Sequence, residues 1–362
     1  MSESAMLVYD DYDKGSLYIS DNALEVFILV VNIVVLGLIA LTGVISNVIN
    51  MVIFVKQVLK DSMTVGLFAL AFTDFSVTTL ELSISCIYVA SVLYPESPVD
   101  LWALAYISFA WAVYALYLTS CWITAMIAIE RCFCVVFPFQ VKQIFTKGRC
   151  VLVIFMIYAI HISTFIPVFV IEKMEWVLVE SPKGNASLSV VPETWVYTVV
   201  FSDATDEVEA AMDIAGGMFL FMTSQLVLYV CSVWMTVSLK LSSTVRTARL
   251  LSDEKPGNDS KMTLQEKRLV KMVLFLTLLQ SACNLPRLAV TIFYHAFPGI
   301  SIELHKNFST VVWTSSVVIN NISCSCNSLG YYFLNSNYRK TFRKIFEGHV
   351  SSLVQSKNSS IH

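Results

Sequence analysis

Seven long apolar stretches dominate the sequence, and each exceeds the roughly 20 residues that an α-helix needs to cross a bilayer. They lie near residues 26–56, 62–93, 100–134, 150–172, 209–240, 267–297 and 308–333. The chain is 56% hydrophobic and only 14% charged, which is unlike a soluble domain. The apolar runs are continuous rather than alternating, which excludes a transmembrane β-barrel. The sequence therefore predicts an all-α membrane protein, a seven-transmembrane helix bundle.

The spans divide the chain into an N-terminal segment, 1–25, a transmembrane domain, 26–333, and a C-terminal part, 334–362. The C-terminal part begins with "NYRKTFRKIF", which separates apolar from basic residues on a helix. The apolar residues on one face are Tyr338, Phe342, Ile345 and Phe346. We expect a short amphipathic helix on the cytoplasmic membrane surface after the seventh span, in contact with membrane lipid.

The basic residues predict the orientation of the chain. Nineteen of the 24 Lys and Arg residues lie in the loops at 56–61, 131–149 and 240–271 or after residue 333. Lys and Arg accumulate in cytoplasmic loops, so these segments are expected inside the cell. The N-terminus is then extracellular and the C-terminus cytoplasmic, and we expect a multi-pass protein of the plasma membrane.

The longest outer loop, 173–208, carries "EWVLVE" and "TWVYTVVF" on either side of "SPKGNAS". Two β-rich runs around a Pro/Gly/Asn segment predict a β-hairpin. The loop contains no cysteine, so we expect no extracellular disulfide there. Acceptor sequences for N-glycosylation on the outer side occur at Asn185 and Asn307.

Five short fragments occur in order along the spans: "GVISNVINMV", "FALAFTD", "MIAIERCFCVVFPF", "ACNLP" and "NSLGYYFLNSNYRKTF". Together they resemble the motifs of rhodopsin-like (class A) G-protein-coupled receptors. The resemblance implies a receptor, not an enzyme, that binds an extracellular small-molecule or peptide ligand and activates a heterotrimeric G protein. The segment "ERCFCVVFPFQVKQIFT" further resembles orphan chemosensory receptors of molluscs.

The Glu-Arg pair that ends the third span is costly at the edge of hydrocarbon unless it has a function or reaches water. The resemblance implies that Glu130 and Glu266 hold Arg131 at rest and release it towards a G protein on activation. A membrane-edge salt bridge without a switch is the alternative. The other coupling and switch residues that the resemblance implies are Pro138, Tyr229, Asn327 and Tyr331.

Asp74 lies in the middle of the second span, where a charge is costly unless it is paired or solvated. The resemblance places Ser120, Ser323 and Asn327 near it, with Asn47 close by, and implies a Na⁺ site that uses oxygen ligands. The alternative is a protonated aspartate in a polar network. No other cofactor is expected.

Arg287, on the sixth span, is an intramembrane cation that needs an anionic partner. That partner is either a ligand carboxylate or Glu81, and a bridge to Glu81 would only orient helices. The remaining residues that the resemblance places in the ligand pocket are Val113, Tyr114, Tyr117, Asn284 and Asn321. These side chains suit a small polar or zwitterionic ligand such as an amino acid, although the acidic terminus of a peptide also fits.

The chain departs from the family pattern at Tyr106, Asn284 and Ser328, where the family has a disulfide cysteine, a tryptophan and a proline. Val113 and Asn321 replace the aspartate of amine receptors and the retinal lysine of opsins, which argues against both ligand classes. A neuropeptide receptor of the same fold is the main alternative. A transporter or channel is a further one, although no internal repeat supports it, and no nucleic-acid partner is expected.

Overall fold

The computed structural model describes residues 19–137, 140–180, 193–251, 264–296 and 306–346. Seven long helices follow one another in the predicted order and form a bundle. Their bounds are α1 (Asp21–Lys56), α2 (Ser62–Leu93), α3 (Leu101 to Val136), α4 (Lys147–Ile171), α5 (Thr205 to Leu251), α6 (Leu264–Ala296) and α7 (Lys306–Leu334). A single helical turn, Val141–Ile144, lies between α3 and α4, and a short helix, α8, spans 336–346. The seven-helix prediction is confirmed.

Three of the long helices contain a π-helical segment. These segments are Val30–Leu36 in α1, Tyr106–Ala110 in α3 and Asp213–Leu220 in α5. Segments of this kind occur often at functional sites. Those in α3 and α5 lie towards the start of their helices, at the same end of the bundle.

Short polar side chains fix where the first four helices begin. Asp61 accepts a hydrogen bond from the backbone N–H of Thr64 at 2.7 Å, and Asp100 accepts one from Ala103 at 3.0 Å. Ser20 and Thr146 cap α1 and α4 in the same way. Because a side-chain cap satisfies an otherwise free N–H, it favours helix initiation at that point. The Ser20 cap starts α1 five residues before the predicted boundary at 26.

The described helices α1 to α6 are long and apolar enough to cross a membrane, judged by length and composition. The seventh helix is 29 residues long but more polar, with buried Asn320, Asn321 and Ser323. Polar residues on a transmembrane helix are satisfied by packing against neighbouring helices rather than lipid. Together with the six apolar helices, α7 completes a multi-pass membrane protein.

Gly43 allows α1, α2 and α7 to approach closely. A Cβ atom at this position would lie 2.5 Å from both Ser325 Oγ and Thr78 Cγ2. Small residues at helix contacts permit such packing in membrane proteins. Any larger residue would force the three helices apart.

The two strands β1 (Lys173–Glu180) and β2 (Glu193–Val200) pair antiparallel, with Trp176 opposite Tyr197. The predicted hairpin is confirmed, although the residues between the strands lie outside the described ranges. The hairpin is held to the start of α3, since Thr198 Oγ1 donates to Asp100 Oδ2 at 2.9 Å. We call the end of the bundle that carries β1 and β2 the hairpin end, and the end that carries Arg131 the arginine end.

The last helix, α8, packs onto the arginine end of the bundle. Its Tyr338 is only 2% exposed, contacts the rings of Phe54 and Tyr331, and donates a hydrogen bond to Asn50 Oδ1 at 2.6 Å. Part of the apolar face that the sequence assigns to the membrane surface is therefore buried against α1 and α7. Phe346, 42% exposed, remains available for lipid.

Candidate functional site

A cavity of about 370 Å³ opens among the helices at the hairpin end. This volume lies within the range of small-molecule sites in proteins. The predicted pocket residues that line it are Glu81, Val113, Tyr114, Tyr117, Arg287 and Asn321. Aromatic side chains that sequence reasoning did not assign to the pocket also contribute, namely Tyr88, Trp102, Tyr106, Trp111 and Trp313.

Arg287 supplies the positive charge of the cavity and is held among aromatic rings. Its guanidinium carbon lies 4.1 Å from the ring centre of Tyr114, 4.8 Å from that of Trp313 and 5.4 Å from that of Phe221. The residue is 6% exposed. Stacking on ring faces stabilises a guanidinium while leaving its N–H edge able to bond a planar anion such as a carboxylate.

Glu81 supplies the acidic side chain of the cavity from α2. Its Oε1 accepts a hydrogen bond from Asn321 Nδ2 at 3.2 Å. Within the described residues, no salt bridge joins Glu81 to Arg287. The helix-orienting bridge that the sequence left open is therefore not formed, and the two opposite charges are separate features of one cavity.

Two side-chain carbonyl groups on α7 add acceptors beside Glu81. Asn320 and Asn321 are 5% and 2% exposed. The Oδ1 atoms of both residues are buried without a hydrogen-bond partner in the described part of the chain. Because a buried acceptor is costly when unpaired, this wall of the cavity favours a group that donates hydrogen bonds.

Asn284 does not line the cavity, in contrast to the prediction. It is fully buried one layer below, where its Oδ1 accepts a hydrogen bond from the hydroxyl of Tyr117. The reason is that Tyr117 reaches from α3 towards α6 and covers the amide. Asn284 therefore forms the floor under the cavity and does not contact its contents directly.

Asp74 is fully buried in the centre of the bundle and is hydrogen-bonded on both oxygens. Ser120 Oγ donates to its Oδ1 at 2.6 Å, and Asn327 Nδ2 donates to its Oδ2 at 2.8 Å. The structure thus brings together three of the four predicted sodium ligands. Ser323 is buried nearby on α7, but its hydroxyl interacts with the thiol of Cys283.

A chain of amides continues from this centre towards α8. Asn47 donates to the backbone oxygen of Cys324 at 3.1 Å, and Asn50 donates to Asn47 Oδ1 at 3.1 Å. Asn50 in turn accepts from the hydroxyl of Tyr338. These contacts connect α1, α7 and α8 by fixed hydrogen bonds, so a shift of α7 would disturb all three.

At the arginine end, Arg131 forms a salt bridge with Glu130, with Nη2 2.6 Å from Oε1. The same oxygen accepts a hydrogen bond from Ser62 Oγ at 2.6 Å. Both members of the pair are buried, at 9% and 3% exposure. Arg131 and Glu130 line a second cavity of about 620 Å³, which Glu266 of α6 also lines. The predicted trio thus surrounds one space.

The comparison with known families matches this arrangement. The family model described as 7 transmembrane receptor (rhodopsin family) covers residues 46–331, most of the chain. The chain belongs to this family. A search of curated proteins found no match. As a member of the rhodopsin family, the protein is a G-protein-coupled receptor; the members of this family are receptors rather than enzymes, and the family implies an extracellular ligand and a G protein as general partners.

Other predicted residues of the receptor fall in less informative places. Pro138 and Asn185 lie outside the described residues. Tyr229 and Tyr331 have buried hydroxyl groups without a partner among the described residues. Asn307 is 8% exposed, and its side-chain amide donates to Asp21 Oδ1 at 2.6 Å. Glycosylation of Asn307 would require that this contact break.

The nine cysteines of the receptor all lie in described residues, and all are free thiols. At the position of the family's third-span cysteine, the hydroxyl of Tyr106 donates to Glu209 Oε1 of α5 at 2.8 Å. Sequence reasoning noted Tyr106 only as a departure. Its contact with Glu209 carried no sequence signal, because the two residues are 103 positions apart.

Proposed function

We propose that the receptor faces the extracellular side of the plasma membrane with its hairpin end and binds a small zwitterionic ligand in the cavity there. The observation that carries this proposal is the separation of opposite charges within one small space. Arg287 offers a guanidinium on one wall, and Glu81 offers a carboxyl group on another. A ligand with a carboxylate and an ammonium group, such as an amino acid, complements both.

The rest of the cavity supports the same ligand class. The acceptor oxygens of Asn320 and Asn321 lie on the α7 wall, close to Glu81, and suit the N–H groups of an ammonium. The rings of Tyr114 and Trp313 fix Arg287 in place, so little side-chain ordering is needed when a carboxylate binds. At about 370 Å³ the cavity accommodates a small molecule, or at most the end of a peptide.

The test is a signalling screen in transfected cells with free amino acids and two sets of truncated analogues, amines without the carboxylate and acids without the amine. Arg287→Gln should abolish the advantage of the carboxylate, and Glu81→Gln the advantage of the amine. Lys173→Gln and Glu175→Gln, both at exposed positions of β1, serve as charge-matched controls. A response to peptides with none to amino acids would instead identify a neuropeptide receptor.

At the arginine end, we infer that the second cavity receives the heterotrimeric G protein on the cytoplasmic side. The basic residues Lys60 and Lys147 lie at this end, which the positive-inside rule assigns to the cytoplasm. The cavity is lined by the cations Lys60, Arg131 and Lys147 and by the acids Asp61, Glu130 and Glu266, so it offers groups of both charges to the partner. Reconstitution with purified G protein and measurement of nucleotide exchange tests this inference directly.

The centre of the bundle fits a sodium ion by the chemistry of its donors. Asp74 provides a carboxylate and Ser120 a hydroxyl oxygen beside it, whereas Asn327 reaches Asp74 through its amide nitrogen and would have to turn its oxygen towards the ion. Hard oxygen ligands suit Na⁺, and a bound cation would neutralise the buried carboxylate. Among the described residues no cluster of three His, Cys, Asp or Glu side chains is placed to hold another metal. Protonation of Asp74 is the competing state.

A further inference from the structure

Glu172 is a buried acid whose carboxylate accepts no hydrogen bond from the side chains that the structure describes. It follows the last residue of α4 and precedes β1, and it is only 2% exposed. Both carboxylate oxygens are buried without a hydrogen-bond donor in the described residues. The indole of Trp111 lies close and favours the ionised form of Glu172, but its Nε1 does not reach hydrogen-bond geometry with any acceptor among the described residues. A carboxylate in this setting is unstable unless it gains a proton or a donor.

The carboxyl group next to Glu172 belongs to Glu209, in the first turns of α5. Glu209 already accepts the hydrogen bond from Tyr106 at 2.8 Å, so it acts as an acceptor. Tyr106 is held in place by stacking on Trp102, with ring centres 5.6 Å apart. Two carboxyl groups can form a hydrogen bond only if one of them carries a proton. The Tyr106 contact assigns that proton to Glu172.

The electrostatic surroundings favour the shared proton. The charged group that interacts electrostatically with Glu172 is Glu209. Both acids in turn interact electrostatically with the hydroxyl of Tyr106. The side chain of Lys173, next along the chain, is exposed. Burial, and then the contact with Glu209, raise the pKa of Glu172 from 4.5 to about 7. Two carboxyl groups in one site repel each other when both are ionised.

We propose that Glu172, Glu209 and Tyr106 form a proton-binding site through which extracellular pH regulates the receptor. With the proton bound, the site connects the end of α4 to the start of α5 and, through Tyr106, to α3. As pH rises through about 7, Glu172 ionises, repels Glu209 and breaks this connection. The contact is therefore present at lower pH and lost at higher pH.

The position of the site explains why its state would affect signalling. Tyr106 and Trp111 also line the cavity that contains Arg287, so a movement of α3 or α5 at the proton site changes the cavity wall. The site also occupies the place where the family pattern has a disulfide cysteine on the third span. In this receptor a hydrogen-bonded connection that depends on a proton stands there. Regulation by extracellular pH rests on the proposed function, in which the hairpin end faces the outside of the cell.

Infrared difference spectroscopy of the purified receptor, titrated from about pH 5 to about pH 9, tests the site without any ligand or G protein. We expect a protonated carboxyl band that disappears with a midpoint near 7 in the wild type. Glu172→Gln should lack this transition, and Glu175→Gln, which removes an exposed acid on β1, should keep it. Absence of a neutral-range transition in the wild type, or its persistence in Glu172→Gln, would overturn the proposal.

A second measurement tests regulation. Basal nucleotide exchange on a reconstituted G protein is followed over the same pH range, with Glu172→Gln as the permanently uncharged form. We expect exchange to change near pH 7 in the wild type and to be independent of pH in the variant. If the infrared transition is present but exchange is equally flat in both proteins, regulation is refuted and the proton site stands. If neither protein promotes exchange at any pH, even with an agonist from the signalling screen, the proposed function fails, whatever the infrared result.

Discussion

Replacing Glu130 by Gln tests whether the buried pair at the arginine end holds the receptor at rest. The substitution keeps the length of the side chain and its capacity to accept the hydrogen bond from Ser62 Oγ. It removes the negative charge that faces Arg131 Nη2 at 2.6 Å. The packing of α2 against α3 should therefore survive, while the electrostatic hold on Arg131 is lost.

The magnitude follows from the loss of one charge-assisted hydrogen bond. Such a bond contributes about 1.5–3 kcal/mol and a neutral one about 0.5–1.5 kcal/mol, so the substitution removes about 1–1.5 kcal/mol. If Arg131 leaves Glu130 on activation, the active state gains about 5- to 13-fold relative to the resting state. An active fraction of about 1% would rise to about 5–11%.

The assay is nucleotide exchange by a purified G protein, without ligand, normalised to the amount of folded receptor. Glu175→Gln is the matched control, since it removes an exposed acid on β1 with the same chemistry. We expect a severalfold rise in basal exchange for Glu130→Gln and no change for the control. If a folded Glu130→Gln receptor shows the basal exchange of the wild type, Glu130 does not keep the receptor at rest. The pair is then only a salt bridge at the membrane edge.

Three further outcomes are expected. Arg287→Gln should raise the EC50 of a zwitterionic agonist by about 30-fold or more, since losing one partner of a buried charge pair costs at least about 2 kcal/mol; an unchanged EC50 would place the carboxylate elsewhere. Na⁺ at about ten times its Kd should stabilise the wild type by about 1.4 kcal/mol in thermal unfolding and leave Asp74→Asn unaffected; equal melting in NaCl and choline chloride would exclude the ion. Gly43→Ala should cost about 1–3 kcal/mol of stability by overpacking, measured as a lower Tm. Gly148→Ala, where a Cβ meets nothing within 4 Å, should be neutral or slightly stabilising, and equal effects of the two would contradict the packing argument.

The order of the helices could be read from the sequence because each span is a continuous apolar run. The length of such a run is enough to identify a transmembrane helix, and the spacing of polar and apolar residues within the run is not needed. The hairpin was also predictable, since its two strands are β-rich on either side of turn residues. The early start of α1 was also predictable, because Ser20 is a good N-cap residue. The predicted boundary at 26 missed it because that boundary was based on hydropathy alone.

The detailed surroundings of the charged residues could not be predicted in the same way. The cage around Arg287 combines Tyr114, Phe221 and Trp313 from three other helices, and only the folded bundle brings them together. The separation of Arg287 from Glu81 likewise depends on which neighbour each side chain contacts. Sequence spacing identified both charges as intramembrane, but it left open whether they pair.

The departure at Asn284 changes how α6 is held to α3. In place of a large aromatic ring, α6 presents two side-chain amides to α3. Asn284 accepts a hydrogen bond from Tyr117. Gln280 accepts one from Thr124 Oγ1 at 3.0 Å and donates one to Cys121 Sγ at 3.1 Å. Hydrogen bonds are directional, so a rotation of α6 breaks them over a short distance. Each such bond contributes about 1 kcal/mol, and the three together resist outward movement of α6 by about 3 kcal/mol. In this receptor the resting position of α6 is therefore set by a hydrogen-bonded layer beneath the cavity, and a ligand that draws Tyr117 away from Asn284 would weaken that layer first.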